Sequence, residues 1–476
     1  MESSDSTPSN RSVAISLRAR WSCGTGISTL WVIAVFALVR TAGAALFLQT
    51  LHGFGSNPKN PQAGLVQVND GSFFGTTEFG GTNGENGIVF RITPNGVFTS
   101  FFSFNGIDGS RPLAGLIKSA DGRLYGTTAF GGTNGDNGTV FGITTNGVFA
   151  SMFSFNGANG SGPAATLVQG SDGNLYGTTA FGGAGTDNGT VFRITTNGVF
   201  TSLFSFPSNG RSGSGPTGSL IQGSDGNFYG TTTAGGLNSD HGTVFRITPS
   251  GALTSLFSFD GTNGSGPSAG LAQGSDGNFY STTEFGGAND NGTVFKITPG
   301  GVVTTLHSFS GPDGNYPVAG LATGSDGNFY GTTSGDRAFG GTNTFGTVFR
   351  MTPAGLLSTL AVFHGTNGGS PVAGLISGTD GSFYGTTFEG GMGSGGTVFR
   401  MVEPPIITRI TALNGIVTLT WSSFAAGTYR VEYKPAVNAP SWSVLAPDAI
   451  ATTNWISITN SVGVVPQRIY RVRLLP

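Results

Sequence analysis

The stretch GSDGNFYGTT occupies residues 223–232 and returns unchanged at residues 324–333. Five near copies complete a set of seven: VNDGSFFGTT (68–77), SADGRLYGTT (119–128), GSDGNLYGTT (170–179), GSDGNFYSTT (274–283) and GTDGSFYGTT (378–387). Their central aromatic residues define units 1 to 7, in the order Phe74, Tyr125, Tyr176, Tyr229, Tyr280, Tyr330 and Tyr384. Successive members of this series are 50 to 54 residues apart. A fixed period of this length indicates a repeat architecture.

Each unit contains four short apolar runs separated by turn signals. In unit 4 they are GSLIQG (218–223), NFYGTT (227–232), GTVFRIT (242–248) and ALTSLFSF (252–259). Their length and their content of Phe, Val, Ile and Thr are typical of β-strands. Asp-Gly joins the first two runs and Pro-Ser-Gly the last two, and both sequences favour tight reversals. Four antiparallel strands at this period predict one β-propeller blade per unit.

The two ends of the repeat region suggest how the blades close. Unit 7 has the runs AGLISG, SFYGTT and GTVFRM, but it reaches Val402 without a fourth run. The missing run matches LFLQTLHGF at Leu46–Phe54, ahead of unit 1. A ring closed by this N-terminal strand explains both observations, whereas a solenoid would need capping repeats. The sequence therefore predicts an all-β protein with a seven-bladed β-propeller over residues 45–402.

The repeat resembles the GloVer tandem repeat of exported bacterial proteins. The resemblance rests on G-x-GTVF-[RK]-I-T-P-x-G-x-x-T-x-L-x-S-F, on PxAGLxxGSDGNFYGTT and on the intervening FGG, and it covers about three quarters of the chain. It implies a surface or secreted protein with a C-terminal segment of the choice-of-anchor type. It implies no characterised enzymatic activity.

The first 44 residues have the order of a signal peptide. Basic residues precede the apolar run LWVIAVFALV at residues 30–39, and Ala42-Gly43-Ala44 offers a cleavage site. The alternative is an uncleaved membrane anchor, for which this run is short. Cys23, the only cysteine, lies in the same segment, so the mature chain is expected to lack disulfides. We expect a secreted or cell-surface protein without a membrane span once the signal is removed.

A second module follows a predicted linker at residues 403–405. Over residues 406–476 the runs IITRITAL, IVTLTW, YRVEYK, SWSVLA, WISITN and IYRVRLL predict a small β-sandwich of fibronectin type III character. Trp421 and Tyr429 are expected in its core. Charged residues make up only 10% of the whole chain and its net charge is −2, which excludes a broad electrostatic surface for nucleic acid. The predicted partner is a glycan or a surface protein.

The long connections lie at one face of the predicted propeller, where we expect the binding site, near the central channel. An aromatic residue precedes Gly-Gly in five units, and unmatched Glu residues follow Thr-Thr in three. The predicted binding residues are Glu78, Phe79, Phe130, Phe181, Glu284, Phe285, Phe339 and Glu389. The Phe rings either stack on sugars or fill the gaps between blades. The loop carboxylates either belong to solvated turns or hold Ca²⁺, the one cofactor that the sequence leaves possible.

No catalytic residue is predicted. The four His residues stand singly in different repeats, which excludes a zinc-binding spacing, and neither a nucleophile elbow nor a phosphate-binding loop occurs. The leading prediction is an exported, non-catalytic repeat protein that binds a glycan or protein ligand. One alternative is a polysaccharide lyase or glycoside hydrolase that uses a pair of loop Glu residues across the channel. Another is a structural protein of the cell envelope.

Overall fold

The computed structural model describes residues 46–238, 240–336, 344–402, 407–413, 416–423, 428–436, 438–453, 455–461 and 467–475, together with the backbone of residues 15–19 and 32–33. These residues fall into two compact bodies. Residues 48–402 form the repeat body, and residues 1–47 and 403–476 belong to the C-terminal body. The elements in the described ranges are β-strands, which confirms the all-β prediction.

The described part of the repeat body contains seven four-stranded antiparallel sheets, one for each unit. The first strands are Val66–Gln67, Ile117–Lys118, Val168–Gln169, Ile221–Gln222, Ala272–Gln273, Ala322–Thr323 and Ile376–Ser377. The second strands are Phe73–Thr77, Leu124–Thr128, Leu175–Thr179, Phe228–Thr232, Phe279–Thr283, Phe329–Thr333 and Phe383–Thr387. The third strands are Ile88–Ile92, Thr139–Ile143, Thr190–Ile194, Thr243–Ile247, Thr293–Ile297, Thr347–Met351 and Thr397–Val402. The fourth strands are Phe98–Ser103, Phe149–Ser154, Phe200–Ser205, Leu253–Ser258, Val303–Ser308, Leu357–Val362 and, for unit 7, Phe47–Gly53.

The repeated stretch forms a tight hairpin between the first and second strands. In unit 4 the N–H of Gly226 donates to the carbonyl of Gly223 at 3.0 Å, and Gly226 has φ +80°. The carboxylate of Asp225 accepts from the N–H of Asn227 at 3.1 Å. Glycine reaches this left-handed conformation without a steric cost. The Asp-Gly pair therefore sets the register in which Ile221 faces Tyr229.

Aromatic side chains pack between neighbouring sheets and form the core. Tyr176 of unit 3 stacks on Phe228 of unit 4 with ring centroids 4.0 Å apart. Phe245 and Phe206, from the same two units, meet edge to face at 5.5 Å. All four rings are buried. Aromatic pairs of these geometries stabilise a core beyond their buried area, which accounts for the high Phe content of the repeat.

A chain of contacts links all seven units just before their first strands. The N–H of Gly115 donates to Thr166 Oγ1 at 3.0 Å, and the N–H of Thr166 donates to Ser219 Oγ at 3.1 Å. Elsewhere the backbones themselves approach closely, so that a Cβ built on Gly64 would lie 3.6 Å from the carbonyl oxygen of Gly374. The series of contacting residues is Gly64, Gly115, Thr166, Ser219, Gly270, Gly320 and Gly374, and it returns to Gly64.

The strand Phe47–Gly53 completes the sheet of unit 7 by pairing with Thr397–Val402. Arg400 donates from Nη2 to Oε1 of Gln49 at 2.7 Å across this pair. Beyond the strand, the N–H of Phe54 donates to the carbonyl of Gly396 at 2.9 Å. The first and last segments of the repeat region therefore belong to one sheet.

The C-terminal body contains two sheets. One is formed by Ile407–Leu413, Ile416–Ser422 and Trp455–Ser461, and the other by Thr428–Lys434, Ser443–Ile450, Gln467–Leu474, Ile15–Ala19 and Val32–Ile33. Trp421 and Tyr429 are buried in its core, as predicted, with ring centroids 6.0 Å apart. Cleavage after Ala44 would remove the two N-terminal strands. The predicted linker at residues 403–405 lies outside the described ranges.

The hairpin aspartates also accept hydrogen bonds from buried tyrosines. Tyr229 Oη donates to Asp225 Oδ2 at 2.8 Å, and burial followed by this bond raises the pKa of Tyr229 to about 12. Unit 1 has Phe74 instead of tyrosine, and its Asp70 accepts from Arg91 Nη2 at 2.7 Å.

We expect Tyr229→Phe to lower the free energy of unfolding by only about 1 kcal/mol, because Arg246 pairs with Tyr229 as Arg91 pairs with Phe74 and can make the same bond to the aspartate. Equilibrium unfolding in urea measures this difference. A loss above about 3 kcal/mol would contradict this expectation. It would mean that Arg246 cannot replace the Tyr229 hydroxyl as Arg91 does in unit 1.

Candidate functional site

One end of every sheet carries the long connections of its unit. The second strand ends there with Thr-Thr, the third strand begins there, and the linker from the preceding unit arrives there. Isolated bridges join the two connections: Lys59 pairs with Phe79, Ser110 with Phe130 and Gly369 with Glu389. The linker of each unit is thus fixed beside the residues that follow its Thr-Thr.

This pairing assigns the predicted Glu residues to two different positions. Glu78 and Glu284 directly follow Thr-Thr, and their backbone N–H groups donate to Asn60 and Gly266 of the linker. Glu389 lies one residue further on, at the position that Phe79 has in unit 1. The prediction that all three Glu residues share one position is therefore wrong for Glu389. Its Oε1 accepts from Ser370 Oγ at 3.0 Å.

The residue before proline in each linker has a left-handed backbone. Its φ lies between +50° and +64° in Asn60, Arg111, Gly162, Gly215, Gly266, Tyr316 and Ser370. Glycine adopts this conformation freely, but a residue with a Cβ pays roughly 1–2 kcal/mol for it. Two large side chains, Arg111 and Tyr316, nevertheless stand at this position. Backbone strain of this kind is found preferentially at functional sites.

Arg111 is held between two of the predicted aromatic residues. Its guanidinium carbon lies 4.8 Å from the ring centroid of Phe79 and 5.4 Å from that of Phe130, both within cation–π range. Lys59 Nζ lies 5.5 Å from the same Phe79 ring and 3.6 Å from Glu85. We call Lys59, Glu78, Phe79, Arg111 and Phe130 the Arg111 cluster. It combines residues of units 1 and 2.

A surface cavity of about 570 Å³ opens beside the Arg111 cluster. This volume is in the range of small-ligand sites. The residues that define its chemistry are Asn86, Asn105, Ile107, Ser110, Arg111, Phe130 and Asp136. Phe130 is 38% exposed and Ile107 is 69% exposed, so the cavity offers apolar surface next to amide and hydroxyl groups.

Glu78 is the partly buried carboxyl group of this cluster. Burial raises the pKa of its carboxyl above the usual range, although a hydrogen bond from Gln62 and the charges of Arg111 and Lys59 act in the opposite direction. Gln62 lies in the linker, two positions before Gly64. A carboxyl that ionises less readily compensates the charge of Arg111 less completely.

A second cluster contains Glu284, Phe285 and Tyr316, from units 5 and 6. The rings of Phe285 and Tyr316 meet edge to face with centroids 5.5 Å apart. Burial raises the pKa of Glu284 to about 7, although Ser268 hydrogen-bonds to the carboxyl. Tyr316, like Arg111, reaches an aromatic residue of the preceding unit from the strained linker position. We call these residues the Tyr316 cluster.

Among the described residues, Phe181 and Glu389 do not join either cluster. Phe181 is 56% exposed, and the linker position beside it is Gly162, which has no side chain to place on the ring. Phe339 lies outside the described residues. The seven described residues of the predicted set therefore divide into Glu78, Phe79 and Phe130 around Arg111, Glu284 and Phe285 around Tyr316, and Phe181 and Glu389, which belong to neither cluster.

Several loop aspartates accept hydrogen bonds from backbone N–H groups. Oδ1 of Asp187 accepts from the N–H of Gly182 at 2.8 Å, and Asp290 and Asp136 accept in the same way from Gly286 and Gly131. Each bond closes the loop that follows Thr-Thr. Within the described ranges no three His, Cys, Asp or Glu residues come together as a metal site. Among the same residues no helix is long and apolar enough to cross a membrane.

Sequence comparison identifies the repeat. The profile of the Gloeobacter/Verrucomicrobia repeat matches residues 33–240 and 216–420, and the chain therefore belongs to this family. This finding confirms the repeat family that the motifs indicated. No curated protein matches the sequence.

Solved structures resemble this chain at low identity. The extracellular domain of a protein assigned as a hybrid two component system, from B. thetaiotaomicron, is 12% identical with a TM-score of 0.50, covering 91% of this chain and 60% of its own. PorZ, a surface component of the type-IX secretion system of Porphyromonas gingivalis, is 12% identical with a TM-score of 0.47, covering 87% and 57%. This chain therefore spans about three fifths of the first structure's length. The first similarity supports a propeller-like arrangement of the repeated sheets and concerns the fold alone.

Proposed function

We propose that the protein is an exported, non-catalytic, seven-bladed β-propeller that binds a glycan at or outside the cell surface through the Arg111 cluster. The observation that carries this proposal is an arginine that occupies a strained backbone position, between two phenylalanine rings, at the edge of a cavity. Units 3, 4 and 5 have glycine at the same position, so the fold itself does not require a side chain there. A protein ligand is the competing partner.

The closed ring rests on two features of the repeat body. The contacts from Gly64 to Gly374 pass through every unit and return to the first, and Phe47–Gly53 completes the sheet of unit 7. Closure in this way leaves no unpaired terminal sheet. Export rests on the predicted signal peptide and on the family. The C-terminal body, with two sheets around Trp421, is proposed as a fibronectin type III-like module.

The proposal predicts specific retention of the full chain on one polysaccharide of a panel, at equal strength with calcium and with EDTA. Phe130→Ala is expected to weaken retention at least tenfold, because it removes the exposed ring from the cavity. Affinity electrophoresis in gels that contain each polymer measures this.

Phe181→Ala is the matched control, since Phe181 occupies the same position in unit 3 but has no arginine beside it. Its retention should equal that of the wild type. Retention on no polymer, or equal losses in both variants, would contradict glycan binding at the Arg111 cluster. Loss of wild-type retention in EDTA would contradict the metal-free site.

A polysaccharide-cleaving enzyme is the second candidate, and the raised pKa of Glu284 favours it. A carboxyl with a pKa near 7 has the property of a general acid. Glu78 also has a raised pKa. Glu284 belongs to unit 5 and Glu78 to unit 1, however. Along the series of contacting units, units 2 to 4 separate them in one direction and units 6 and 7 in the other. Each stands in its own aromatic cluster, which supports two binding positions more than one acid–base pair.

A further inference from the structure

The Arg111 guanidinium is unusual because its hydrogen-bonding capacity is unused. It has five N–H donors in a planar fork, and in the described part of the molecule it makes no hydrogen bond or ion pair. The rings of Phe79 and Phe130 contact the guanidinium but accept no conventional hydrogen bond from its N–H groups. The rings hold the fork in place, which lowers the entropy cost of binding a planar acceptor.

The cavity beside the fork has the chemistry of a carbohydrate site. Asn105 uses its carbonyl oxygen to accept from the N–H groups of Ile107 and Asp108, at 2.9 and 3.1 Å, which leaves its NH₂ group for a ligand. Ser110 contributes a hydroxyl and Phe130 an exposed ring. Neutral amide and hydroxyl groups match sugar hydroxyls, and an aromatic face matches the apolar face of a sugar ring.

The charges around the cavity place the anionic group of such a ligand. Asp136 also lines the cavity, with one oxygen already bound to the N–H of Gly131. Asp136 repels an anion, whereas Arg111 attracts one. Lys59 adds a second positive charge beside Phe79, although Glu85 lies 3.6 Å from it.

We propose that this cavity binds one acidic sugar unit of a polysaccharide, with its carboxylate or sulfate paired to Arg111 and its hydroxyls directed to Asn105, Ser110 and Asp136. This inference rests on the proposed glycan binding and specifies its substrate class. An Arg–carboxylate pair can form two parallel hydrogen bonds, and sulfate offers the same pair of oxygens. An acidic peptide is disfavoured because it lacks the hydroxyl groups that Asn105 and Ser110 would bind and the apolar sugar face that Phe130 would contact.

The test compares four probes on the full chain by isothermal titration calorimetry: polygalacturonate, the same polymer after carboxyl reduction, dextran sulfate and poly-L-glutamate. We expect binding to polygalacturonate or to dextran sulfate. Comparing these two titrations distinguishes recognition of a carboxylate from recognition of a sulfate. Carboxyl reduction should weaken polygalacturonate binding at least tenfold if that polymer is the ligand, and affinity for the bound polymer should fall as salt is added.

The decisive variant is Arg111→Gly, which restores the residue of units 3 to 5 at a left-handed position and should therefore fold. It should weaken binding of the acidic polymer at least tenfold. Arg111→Lys should also lose most of the affinity, because lysine keeps the charge but not the fork. Arg211→Ala, which removes an exposed arginine from the linker of unit 4, is the charge control and should bind as the wild type does.

The outcomes separate this inference from glycan binding in general. Equal affinity for the reduced and unreduced polymer, or unchanged binding by Arg111→Gly while Phe130→Ala has lost it, would overturn the acidic-sugar inference alone. Tighter binding of poly-L-glutamate than of either acidic polysaccharide would overturn it in favour of a peptide ligand. Binding to none of the four probes and to no neutral polysaccharide would overturn both proposals.

Discussion

Replacing Gly189 by alanine is expected to lower the free energy of unfolding of the repeat body by about 2–5 kcal/mol, the sum of a left-handed backbone and an overpacked site. Gly189 has φ +91°, and a Cβ there would overlap the carbonyl oxygen of Thr179 and lie 2.6 Å from Cδ of Pro216. Neither neighbour can move cheaply, because Thr179 belongs to the second strand and Pro216 begins the next unit. Every unit has glycine at this position.

Gly173→Ala is the matched control. Gly173 has φ +81° in the hairpin of the same unit, but nothing lies within 4 Å of a Cβ built there. Gly173→Ala should lower the free energy of unfolding only by the cost of the left-handed conformation, about 1–2 kcal/mol. Residues 45–402 contain no tryptophan, so tryptophan fluorescence reports the C-terminal body, whereas far-ultraviolet circular dichroism reports both bodies and is dominated by the larger repeat body. Equal losses in the two variants would contradict the steric explanation.

Glu284→Gln is expected to stabilise the protein at neutral and higher pH. Burial raises the pKa of Glu284 from 4.5 to about 7. Below pH 4.5 the carboxyl is protonated in both the folded and the unfolded chain. As pH rises from 4.5 to 7 the unfolded chain ionises first, so the free energy of unfolding falls, and it stays lower above pH 7. Glutamine is neutral throughout and can still hydrogen-bond to Ser268.

The stability difference between Glu284→Gln and the wild type should therefore grow from near zero at pH 4 to about 1–3 kcal/mol at pH 8. Urea unfolding at a series of pH values measures it. Glu85→Gln, at an exposed position, should give a difference that does not change with pH in this way. A constant difference for Glu284→Gln would contradict the raised pKa. Equal rates of polysaccharide cleavage by the variant and the wild type would exclude Glu284 as a general acid.

Most of the strand pattern was predictable because it depends on short-range rules. The run NFYGTT became Phe228–Thr232 and GTVFRIT became Thr243–Ile247, within one residue at each end. The strand predicted over GSLIQG is longer than the observed one, because only Ile221–Gln222 pairs as a strand. Ser219 accepts from Thr166 of the preceding unit instead, and such a contact between units leaves no mark in the local sequence.

The candidate site was predictable in part. Deviations from the repeat directed attention to Glu78 and Glu284, and their raised pKa values reflect burial that only the folded chain reveals. Arg111 is not among the binding residues that the sequence predicted. The signal was present, because glycine precedes the linker proline in units 3 to 5 and so indicates a left-handed backbone. The stacking of Arg111 on rings from two units required the arrangement of the sheets.

The pairing of Phe47–Gly53 with Thr397–Val402 also affects the order of folding during synthesis. Gln49 and Arg400, which contact each other across this pair, are 351 residues apart. At synthesis rates of 5–20 residues per second, the first strand waits roughly 20–70 s before its partner exists. Closing so long a segment costs on the order of 5 kcal/mol in chain entropy, unless the intervening sheets have already brought the ends together. Phe47–Gly53 is thus the first strand of the repeat region to be synthesised and the last to pair. Until it pairs, its unpaired edge can bind other chains.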